Sequence, residues 1–227
     1  ALEGIKELFR NAGIGYELSF QMLNASDYNV PQDRKRVFFI GIRKDLNFKY
    51  QFPTETFPKI TIESAISDLK EGVLPALEFN NTNGNNCVVP NHEYMIGSFS
   101  TIFMSRNRVR SWDEQSYTIQ AGGRHAPIHP QAPKMKFIEQ NIRVFVPGKE
   151  HLYRRLSIRE CARIQTFPND FIFHYKKVAA GYKMIGNAVP VNLAKFLAKS
   201  IMQQIKANEI TTKKVKQSQK VKEVIAV

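Results

Sequence analysis

The strongest constraint on how this chain can fold is the contrast between its ordered ends and its irregular middle. Residues 2–50 and 157–205 carry apolar side chains at helix or strand spacing, which predicts regular elements packed on a core. Eight of the eleven prolines fall between residues 51 and 150, where the asparagine-rich segment 80–86 adds a further break. The pattern predicts a loop-rich module with short strands, beginning at a domain boundary near residue 51.

The first fifty residues predict a helix, a strand, a loop and a second strand. Apolar residues at helical spacing indicate a helix over residues 2–10, which the Asn-Ala-Gly sequence at 11–13 ends. Strands are predicted at 16–23 and 37–42, and the second of these has the continuous apolar character of a buried strand. This order of elements predicts the edge of an α/β sheet.

Fewer regular elements are predicted in the rest of the chain. In the middle, only a helix near 61–70 and a strand near 116–120 fit the pattern. Ser157 and Glu160 have the spacing of a capping box, which predicts a helix that begins there and ends at Pro168.

The chain is strongly basic, with 33 Lys+Arg against 20 Asp+Glu and a net charge of +13. Such a surplus indicates a polyanionic partner, most often nucleic acid, and a basic tail with ordinary surface lysines is an equal alternative. A last helix is predicted after Pro190, followed by a frayed basic tail over residues 207–227. Part of the surplus lies in this tail, at Lys213, Lys214, Lys216, Lys220 and Lys222.

Composition excludes several classes of protein. A hydrophobic content of 43% argues against disorder of the whole chain, and no apolar run reaches the roughly 18 residues of a membrane span. Two cysteines cannot form a disulfide framework, so a reducing, cytoplasmic setting without a membrane partner is expected. The first residue is Ala1 rather than Met, which is consistent with a start inside a longer protein.

The first cluster with chemical potential is the sequence QDRKR at residues 32–36, just before the second predicted strand. In an extended segment, Gln32, Arg34 and Arg36 share one side. Guanidinium groups on one face suit a phosphate or a carbonyl oxygen, which they bind through charge-assisted hydrogen bonds. The alternative is a solvated basic loop.

A second cluster combines the arginine-rich segment 105–110 with the glycine-flanked Arg124. Arginine is the usual reader of guanine O6 and N7, and the apolar neighbours Ile102, Phe103 and Met104 could insert where a base has been moved. The alternative is a surface cluster with a buried apolar flank. The predicted DNA contacts are Ile102, Arg106, Arg108, Arg110 and Arg124.

A third cluster is the glycine-containing segment 181–190, which leads into the last predicted helix. Two glycines and a helix N-terminus offer backbone donors for a carboxylate or a phosphate. A small-molecule cofactor could bind there, beside the amide of Asn187 and the adjacent Ala188. The alternative is a simple turn before a helix.

Other residue types predict no further site. The five histidines share no metal-ligand spacing with each other or with the cysteines, so no metal site is expected. Cys161 falls among apolar residues of a predicted helix and is expected in the core, and Cys87 has no activating neighbour.

Three segments, taken in order, resemble the last three conserved blocks of the DNA cytosine-5 methyltransferases. They are Gln32–Val37, Arg159–Pro168 and Gly186–Pro190. The resemblance extends from about residue 5 to 205, and the ordered triplet is highly specific. The stretches NHEYMIGSFSTIFMSRNRVRSW and GYKMIGNAVPVNLA are closer still to the GGCC-specific modification methylases of restriction–modification systems.

The resemblance implies an enzyme that holds duplex DNA between two domains and flips the target cytosine out of the helix. A cysteine thiolate attacks C6, and C5 then takes a methyl group from S-adenosylmethionine. By the same resemblance, Arg34 and Arg36 would hold the flipped nucleotide through its phosphate and the cytosine O2. Asn187 would lie by the methionine part of the cofactor.

The resemblance also divides the chain. Residues 1–50 would form the C-terminal part of the catalytic domain, at the edge of a Rossmann-like α/β sheet. Residues 51–180 would be a loop-rich target-recognition domain with short strands. Residues 181–206 would return to the catalytic domain as a C-terminal helix, before the basic tail at 207–227. A sheet edge exposed in this way predicts that the isolated chain associates or is poorly soluble.

The sequence departs from the family pattern at the blocks that carry the reaction. The Phe-x-Gly-x-Gly cofactor loop, the Pro-Cys-Gln nucleophile block and the Glu-Asn-Val block are absent, and neither Cys87 nor Cys161 follows a proline. The resemblance therefore predicts a C-terminal portion with a partial cofactor pocket, inactive alone. It could be one chain of a split enzyme with a separate N-terminal methyltransferase chain, a partial sequence, or a DNA-binding remnant. The first residue, Ala1, favours a partial sequence or an excised domain.

Overall fold

The computed structural model describes the backbone of residues 2–54 and 56–225, and the side chains of residues 2–54 and 56–211. The helices are α1 (Leu2–Asn11), α2 (Ile62–Ile66), α3 (Thr101–Met104), α4 (Ile158–Ile164), α5 (Val178–Asn187) and α6 (Val191–Ile225). The strands are β1 (Tyr16–Asn24), β2 (Lys35–Arg43), β3 (Leu74–Pro75), β4 (Glu93–Tyr94), β5 (Lys136–Glu139) and β6 (Ile142–Val144). Within the described residues β1 pairs with β2, β3 with β4 in parallel, and β5 with β6 antiparallel.

The chain forms two compact units. The first is drawn from residues 1–23, 35–56 and 194–227, and the second from residues 24–34 and 57–193. The catalytic and recognition domains implied by the resemblance are defined by function, whereas these two units are defined by compactness. The bounds of those domains therefore stay predictions.

The segment 24–34 belongs to the second unit because its backbone is bonded there. The amide of Asp33 donates to the carbonyl of Ser116 at 2.9 Å, and the Ser116 amide donates to the carbonyl of Pro31 at 3.0 Å. A domain boundary drawn once, near residue 51, therefore does not describe the path of the chain, which enters the second unit twice.

In the first unit, α1 and β1 occupy the predicted positions, and aromatic packing joins them. The ring of Phe9 meets the ring of Tyr16 edge to face, with 6.1 Å between centroids. Gly41 of β2 makes room for this pair, since a Cβ there would lie 2.8 Å from the Phe9 ring. Tyr50 is also buried in the first unit, and its carbonyl accepts from Ser19 Oγ at 2.5 Å.

The prediction of a fully buried second strand is wrong. β2 is longer than predicted, and of its nine residues only Ile42 is buried, while Val37 is 46% exposed. Among the described residues β2 pairs with β1 alone, so neither strand has a second neighbour to complete a sheet. Phe20 and Met22 of β1 are exposed for the same reason.

Two apolar cores lie among the described residues of the second unit. The larger one gathers α2, α4 and α5, and its centre is formed by Ile62, Ile66, Ile119, Leu156, Ile158, Ile164, Tyr182 and Ile185. The smaller one lies beneath α3 and consists of Phe103, Val109, Ile128, Ala132, Met135 and Tyr153. Most of the smaller core comes from the segment that the sequence marked as irregular, whereas most of the larger core comes from residues beyond 150.

The capping box at the start of α4 is confirmed. The Ser157 hydroxyl accepts from the amide of Glu160 at 3.1 Å, and the Glu160 carboxylate accepts from the Ser157 amide at 2.7 Å. The end predicted at Pro168 is wrong, because α4 already ends at Ile164. Thr166 adopts a left-handed backbone with φ of 60°, which turns the chain before the proline is reached.

Two further predictions of secondary structure are corrected. The strand near 116–120 is reduced to an isolated bridge between Ser116 and Gln32, since side chains rather than a neighbouring strand bond the backbone of Ile119. The last helix does not end near residue 206, because α6 continues to Ile225. The lysine side chains of the predicted basic tail lie outside the described residues.

Candidate nucleic-acid interface

In the QDRKR cluster, Gln32 and Arg34 lie on the same side, and both side chains hydrogen-bond to the backbone of Ile119. The Ile119 amide donates to Gln32 Oε1 at 3.0 Å, and Arg34 Nη1 donates to the Ile119 carbonyl at 2.9 Å. Arg34 Nη2 also donates to the carbonyl of Gly186 at 2.8 Å and to that of Ala188 at 3.4 Å. Both side chains are buried, so the guanidinium of Arg34 faces protein carbonyls.

Arg36 has different surroundings. Its side chain is exposed, and Nη1 donates to the carbonyl of the adjacent Lys35 at 2.7 Å. A guanidinium at the surface can exchange water for a phosphate or carbonyl oxygen at little cost. The guanidinium of Arg36 is therefore accessible to a ligand from solvent.

The short helix α3 presents the side chain of Ile102 to solvent. The Ser100 side chain caps the helix by accepting from the Phe103 amide at 3.2 Å. Phe103 is fully buried and stacks on Phe99 with 5.0 Å between ring centroids. The preceding side chain, Ile102, is 73% exposed, so an apolar group projects from an anchored turn.

Arg108 closes the other end of α3. Its Nε donates to the Phe103 carbonyl at 2.7 Å, and Nη2 donates to the Ile102 carbonyl at 3.2 Å. Burial, and then the neighbouring charge of Arg106, lower the pKa of Arg108. Arg106 itself is exposed, so of these two arginines it is the one that presents its charge to solvent.

Arg110 lies in a cluster of charges. Its Nη1 donates to Glu114 Oε1 at 2.9 Å, and its guanidinium carbon is 4.3 Å from the centroid of the Tyr117 ring. The Ser111 amide bonds the same carboxylate, and with Arg110 and Lys134 it lowers the pKa of Glu114 to about 2. Arg110 is therefore committed to an ion pair at neutral pH.

Arg124 is exposed on the short 3-10 turn Gly123–His125. This turn packs closely on α5, since a Cβ on Gly123 would lie 2.6 Å from Tyr182 Cδ2 and 2.7 Å from Met95 Sδ. Of the four arginines predicted to contact DNA, Arg106 and Arg124 are exposed in the second unit, whereas the other two are partly buried.

Residues 181–190 do not form the open glycine loop that would offer backbone donors to an anion. Residues 181–187 are helical within α5, so their amides are not arranged as an open cradle. Gly181 serves packing instead, because a Cβ there would lie 2.8 Å from the ring of Tyr175. At the start of α6, the amides of Val191 and Asn192 donate to Gln165 O and Thr166 Oγ1.

These contacts limit how this segment fits S-adenosylmethionine. The backbone donors that the sequence suggested for a carboxylate are used by the protein, so that part of the fit fails. Asn187 is exposed at the end of α5, and its amide can meet a polar group from outside. Ala188 ends the helix, and its carbonyl accepts from Arg34.

Sequence reasoning missed Arg155, which supports the loop before α3. The guanidinium donates to the carbonyls of Met95, Gly97 and Ser98 at 3.0–3.2 Å. It also lies 4.1 Å from the ring centroid of Phe99. The sequence marked Arg155 only as one of two adjacent arginines before α4, and its partners lie almost sixty residues away.

The thiols of both cysteines have a raised pKa. Cys161 is fully buried in α4, and burial raises the pKa of its thiol well above the usual value. Burial, and then the charge of Glu93, also raise the pKa of Cys87. Among the described residues, no group of three or more His, Cys, Asp or Glu side chains could hold a metal ion. No helix among those residues has the length and apolar character of a membrane span.

Comparison with known sequences decides the family. The sequence profile described as "C-5 cytosine-specific DNA methylase" matches residues 1–203. The chain belongs to this family. Its partial resemblance to conserved blocks, noted from the sequence, is thereby confirmed at the level of the family.

Several type II methyltransferases are similar to this C-5 cytosine-specific DNA methylase chain. M.MthTI of Methanothermobacter thermautotrophicus is 61% identical over 192 residues, which cover 85% of this chain and 58% of that protein. M.NgoPII of Neisseria gonorrhoeae is 51% identical over 205 residues, covering 88% and 59%. M.FnuDI of Fusobacterium nucleatum is 49% identical over 219 residues, covering 95% and 64%. The chain thus spans less than two thirds of each of these relatives.

Solved methyltransferase structures share the fold. The Dnmt2 methyltransferase of S. pombe matches with a TM-score of 0.52 and 16% identity, covering 90% of this chain and 62% of that one. The Entamoeba histolytica methyltransferase EhMeth matches with a TM-score of 0.52 and 14% identity, covering 84% and 54%. The predicted fold class, an α/β methyltransferase fold with small sheets and a C-terminal helix, is confirmed.

Proposed function

We propose that this chain is the DNA-reading, C-terminal portion of a type II cytosine-5 methyltransferase that recognises GGCC. The observation that carries the proposal is the surface of the second unit, where an anchored turn exposes Ile102 and exposed arginines stand at 106 and 124. A protein that flips a base needs an apolar group to fill the vacated space and donors to read the remaining guanines.

We assign a role to each of these residues from the exposure of its side chain. Ile102 fills the space left by the flipped cytosine, and Arg106 and Arg124 donate to guanine O6 and N7. Arg36 holds the flipped nucleotide through its phosphate or the cytosine O2, for which its exposed guanidinium is suited. Arg108 and Arg110 support the reading surface through their bonds to α3 and to Glu114, and reach DNA only by exchanging those partners.

The reaction needs groups that this chain does not present. S-adenosylmethionine supplies the methyl group when bound, and the exposed amide of Asn187 would contact its methionine part. A thiolate must attack C6 of the cytosine, and the raised pKa of Cys161 and of Cys87 disfavours the thiolate in both. Methyl transfer therefore requires an N-terminal half that brings the nucleophile and the rest of the cofactor pocket.

A second function is a non-catalytic DNA-binding remnant, or the specificity subunit of a split methyltransferase. The raised pKa of both cysteine thiols, which disfavours a thiolate in either, is the observation that favours it. Both functions predict duplex binding. A C-terminal portion and a specificity subunit also predict that a complementing half restores methyl transfer, whereas a remnant predicts that no such half does.

The experiment measures methyl transfer and binding together. The chain is incubated with a GGCC duplex and labelled S-adenosylmethionine, alone and with the N-terminal half of M.MthTI. Label should enter DNA only in the mixture, and a base-scrambled duplex should stay unlabelled. Transfer by the chain alone contradicts the missing nucleophile, and failure of complementation favours the remnant. Duplex affinity that does not fall with salt would exclude both functions.

A further inference from the structure

The buried guanidinium of Arg34 joins segments that are far apart in the sequence. It bonds the carbonyl of Ile119, 85 residues away, and that of Gly186, 152 residues away. At the same place the backbones meet directly, because a Cβ on Gly186 would overlap the amide nitrogen of Ala121 and the carbonyl group of Gln120. Arg34 thus fixes one end of the segment 119–123 against the end of α5.

The other end of that segment is fixed by a second close approach. Gly123 abuts the ring of Tyr182, four residues before Gly186 on α5. Tyr182 is itself immobilised, since it is fully buried and its hydroxyl donates to the Leu156 carbonyl at 2.5 Å. Arg124 follows directly in the sequence, so its backbone position is set by these two glycine contacts and by the bonds that hold Ile119.

The hydrogen bonds around Ile119 are of the kind that a substitution cannot easily replace. Gln32 accepts from its amide, and Arg34 donates to its carbonyl, so both backbone groups depend on side chains. A buried carbonyl that loses its donor keeps the full cost of its desolvation. A lysine retains the charge of Arg34 but not the planar fork that spans several carbonyls.

We infer that Arg34 is a positioning residue for base discrimination. It fixes the segment 119–123 on α5, and thereby sets the place from which Arg124 reaches a guanine. The inference rests on the proposed function, in which Arg124 reads DNA, and it replaces the direct nucleotide contact that the resemblance implied for Arg34. Reading a base edge requires two aligned donors, so a displaced backbone at 123 weakens readout without removing a charge from the surface.

The test compares affinity for a GGCC duplex and a base-scrambled duplex in Arg34→Met, Arg34→Lys and Arg124→Ala. Both Arg34 variants should lower the GGCC preference about tenfold, the expected weight of a bidentate base contact, and leave scrambled-duplex affinity and salt slope unchanged. In the Arg124→Ala background, Arg34→Met should cause no further loss of preference. Arg10→Met, which removes an exposed charge on α1, is the matched control and should change nothing.

Equal loss on both duplexes, with a smaller salt slope, would show direct phosphate contact and overturn the inference. Additive losses from Arg34→Met and Arg124→Ala would also overturn it. If Arg34→Met does not fold by circular dichroism, Gln32→Leu removes only the bond to the Ile119 amide and should lower the preference in the same direction.

Hydrogen exchange separates this inference from the proposed function, because it needs no DNA. Amides of residues 119–125 should exchange at least about tenfold faster in Arg34→Met, while those of α3 should keep the wild-type rate. Unchanged exchange at 119–125 would refute the positioning role. A wild-type chain with normal protection and no GGCC preference would instead refute the proposed function alone.

Discussion

Arg154 and Glu160 form a two-pronged ion pair inside the second unit. Arg154 Nη2 lies 2.7 Å from Glu160 Oε1, Nη1 lies 2.8 Å from Oε2, and the carboxylate is fully buried. The same carboxylate accepts from the Ser157 amide and completes the capping box of α4. One buried group therefore both neutralises an arginine and begins a helix.

Glu160→Gln should strongly destabilise the chain. The amide leaves Arg154 as an uncompensated buried charge, which typically costs about 3–5 kcal/mol. Urea unfolding followed by circular dichroism measures the difference from wild type. Glu150→Gln, at an exposed position, makes the same chemical change and should shift stability by less than about 0.5 kcal/mol. Similar losses in both variants would contradict the structural role of the pair.

His129 should make stability depend on pH. Burial lowers its pKa to about 4, although the Glu160 carboxylate opposes this shift. The ring nitrogen Nδ1 accepts from the Gln131 amide at 3.2 Å, so the proton of the neutral ring is on Nε2, 3.4 Å from Glu160 Oε1.

Since the pKa of His129 is lower in the folded chain than the ordinary 6.5, the unfolded chain binds the extra proton between pH 6.5 and 4. Stability should therefore fall as the pH drops through this window, by roughly 3 kcal/mol for this group. Unfolding midpoints in urea from pH 7 to 4 measure the slope. His129→Asn should flatten the profile, whereas His174→Asn, on the surface, should not. A profile that His129→Asn leaves as steep as before would show that other groups cause it.

Ile102→Ala should change DNA binding and leave stability unchanged. The side chain is exposed in the unbound chain, so its truncation removes little buried area. If it fills a vacated base position, the wild type binds a GGCC duplex with an abasic target site more tightly than an intact one. The variant should reduce that preference by about tenfold or more, because burying an aliphatic side chain contributes about 1.5–3 kcal/mol. Ile138→Ala, also exposed, is the control, and the same loss there would refute a specific wedge.

The substitutions Arg124→Ala and Arg108→Ala should differ in their effect on stability. Arg124→Ala should lose about 1–3 kcal/mol of base discrimination with no change in unfolding midpoint. Arg108→Ala should lower the unfolding midpoint as well, because Arg108 bonds the carbonyls at the end of α3. Affinities for GGCC and singly substituted duplexes give the discrimination. Uniform weakening on every duplex by Arg124→Ala would reduce that residue to a phosphate contact.

The isolated chain should self-associate through its first unit. Met22 and Val37, one on each strand of the β1–β2 pair, are exposed apolar residues. Sedimentation at increasing concentration should show association, and Val37→Lys should shift the chain toward monomer. The control Lys35→Arg retains charge on the same strand and should leave association unchanged. A monodisperse wild-type chain at high concentration would contradict this expectation.

Local patterns predicted local structure, and distant partners account for the errors. The capping box at Ser157 depends on four consecutive residues, and it was predicted correctly. The strand near 116–120 failed because the backbone of Ile119 is bonded by side chains 85 and 87 residues away. In the same way, no sequence pattern shows that Arg34 bonds protein carbonyls whereas Arg36 is exposed.

The contact of Gly186 with the backbone at 120 and 121 bears on how sequence specificity can be exchanged between methyltransferases. Consider a recombinant that receives the segment 101–125 from another methyltransferase but keeps its own α5. Its backbone at 120 and 121 would then meet a helix that lacks a matching close approach like that of Gly186. We therefore expect that an exchange of DNA specificity needs both the segment 101–125 and α5, some sixty residues later in the chain, because Gly186 has to fit the backbone at 120 and 121.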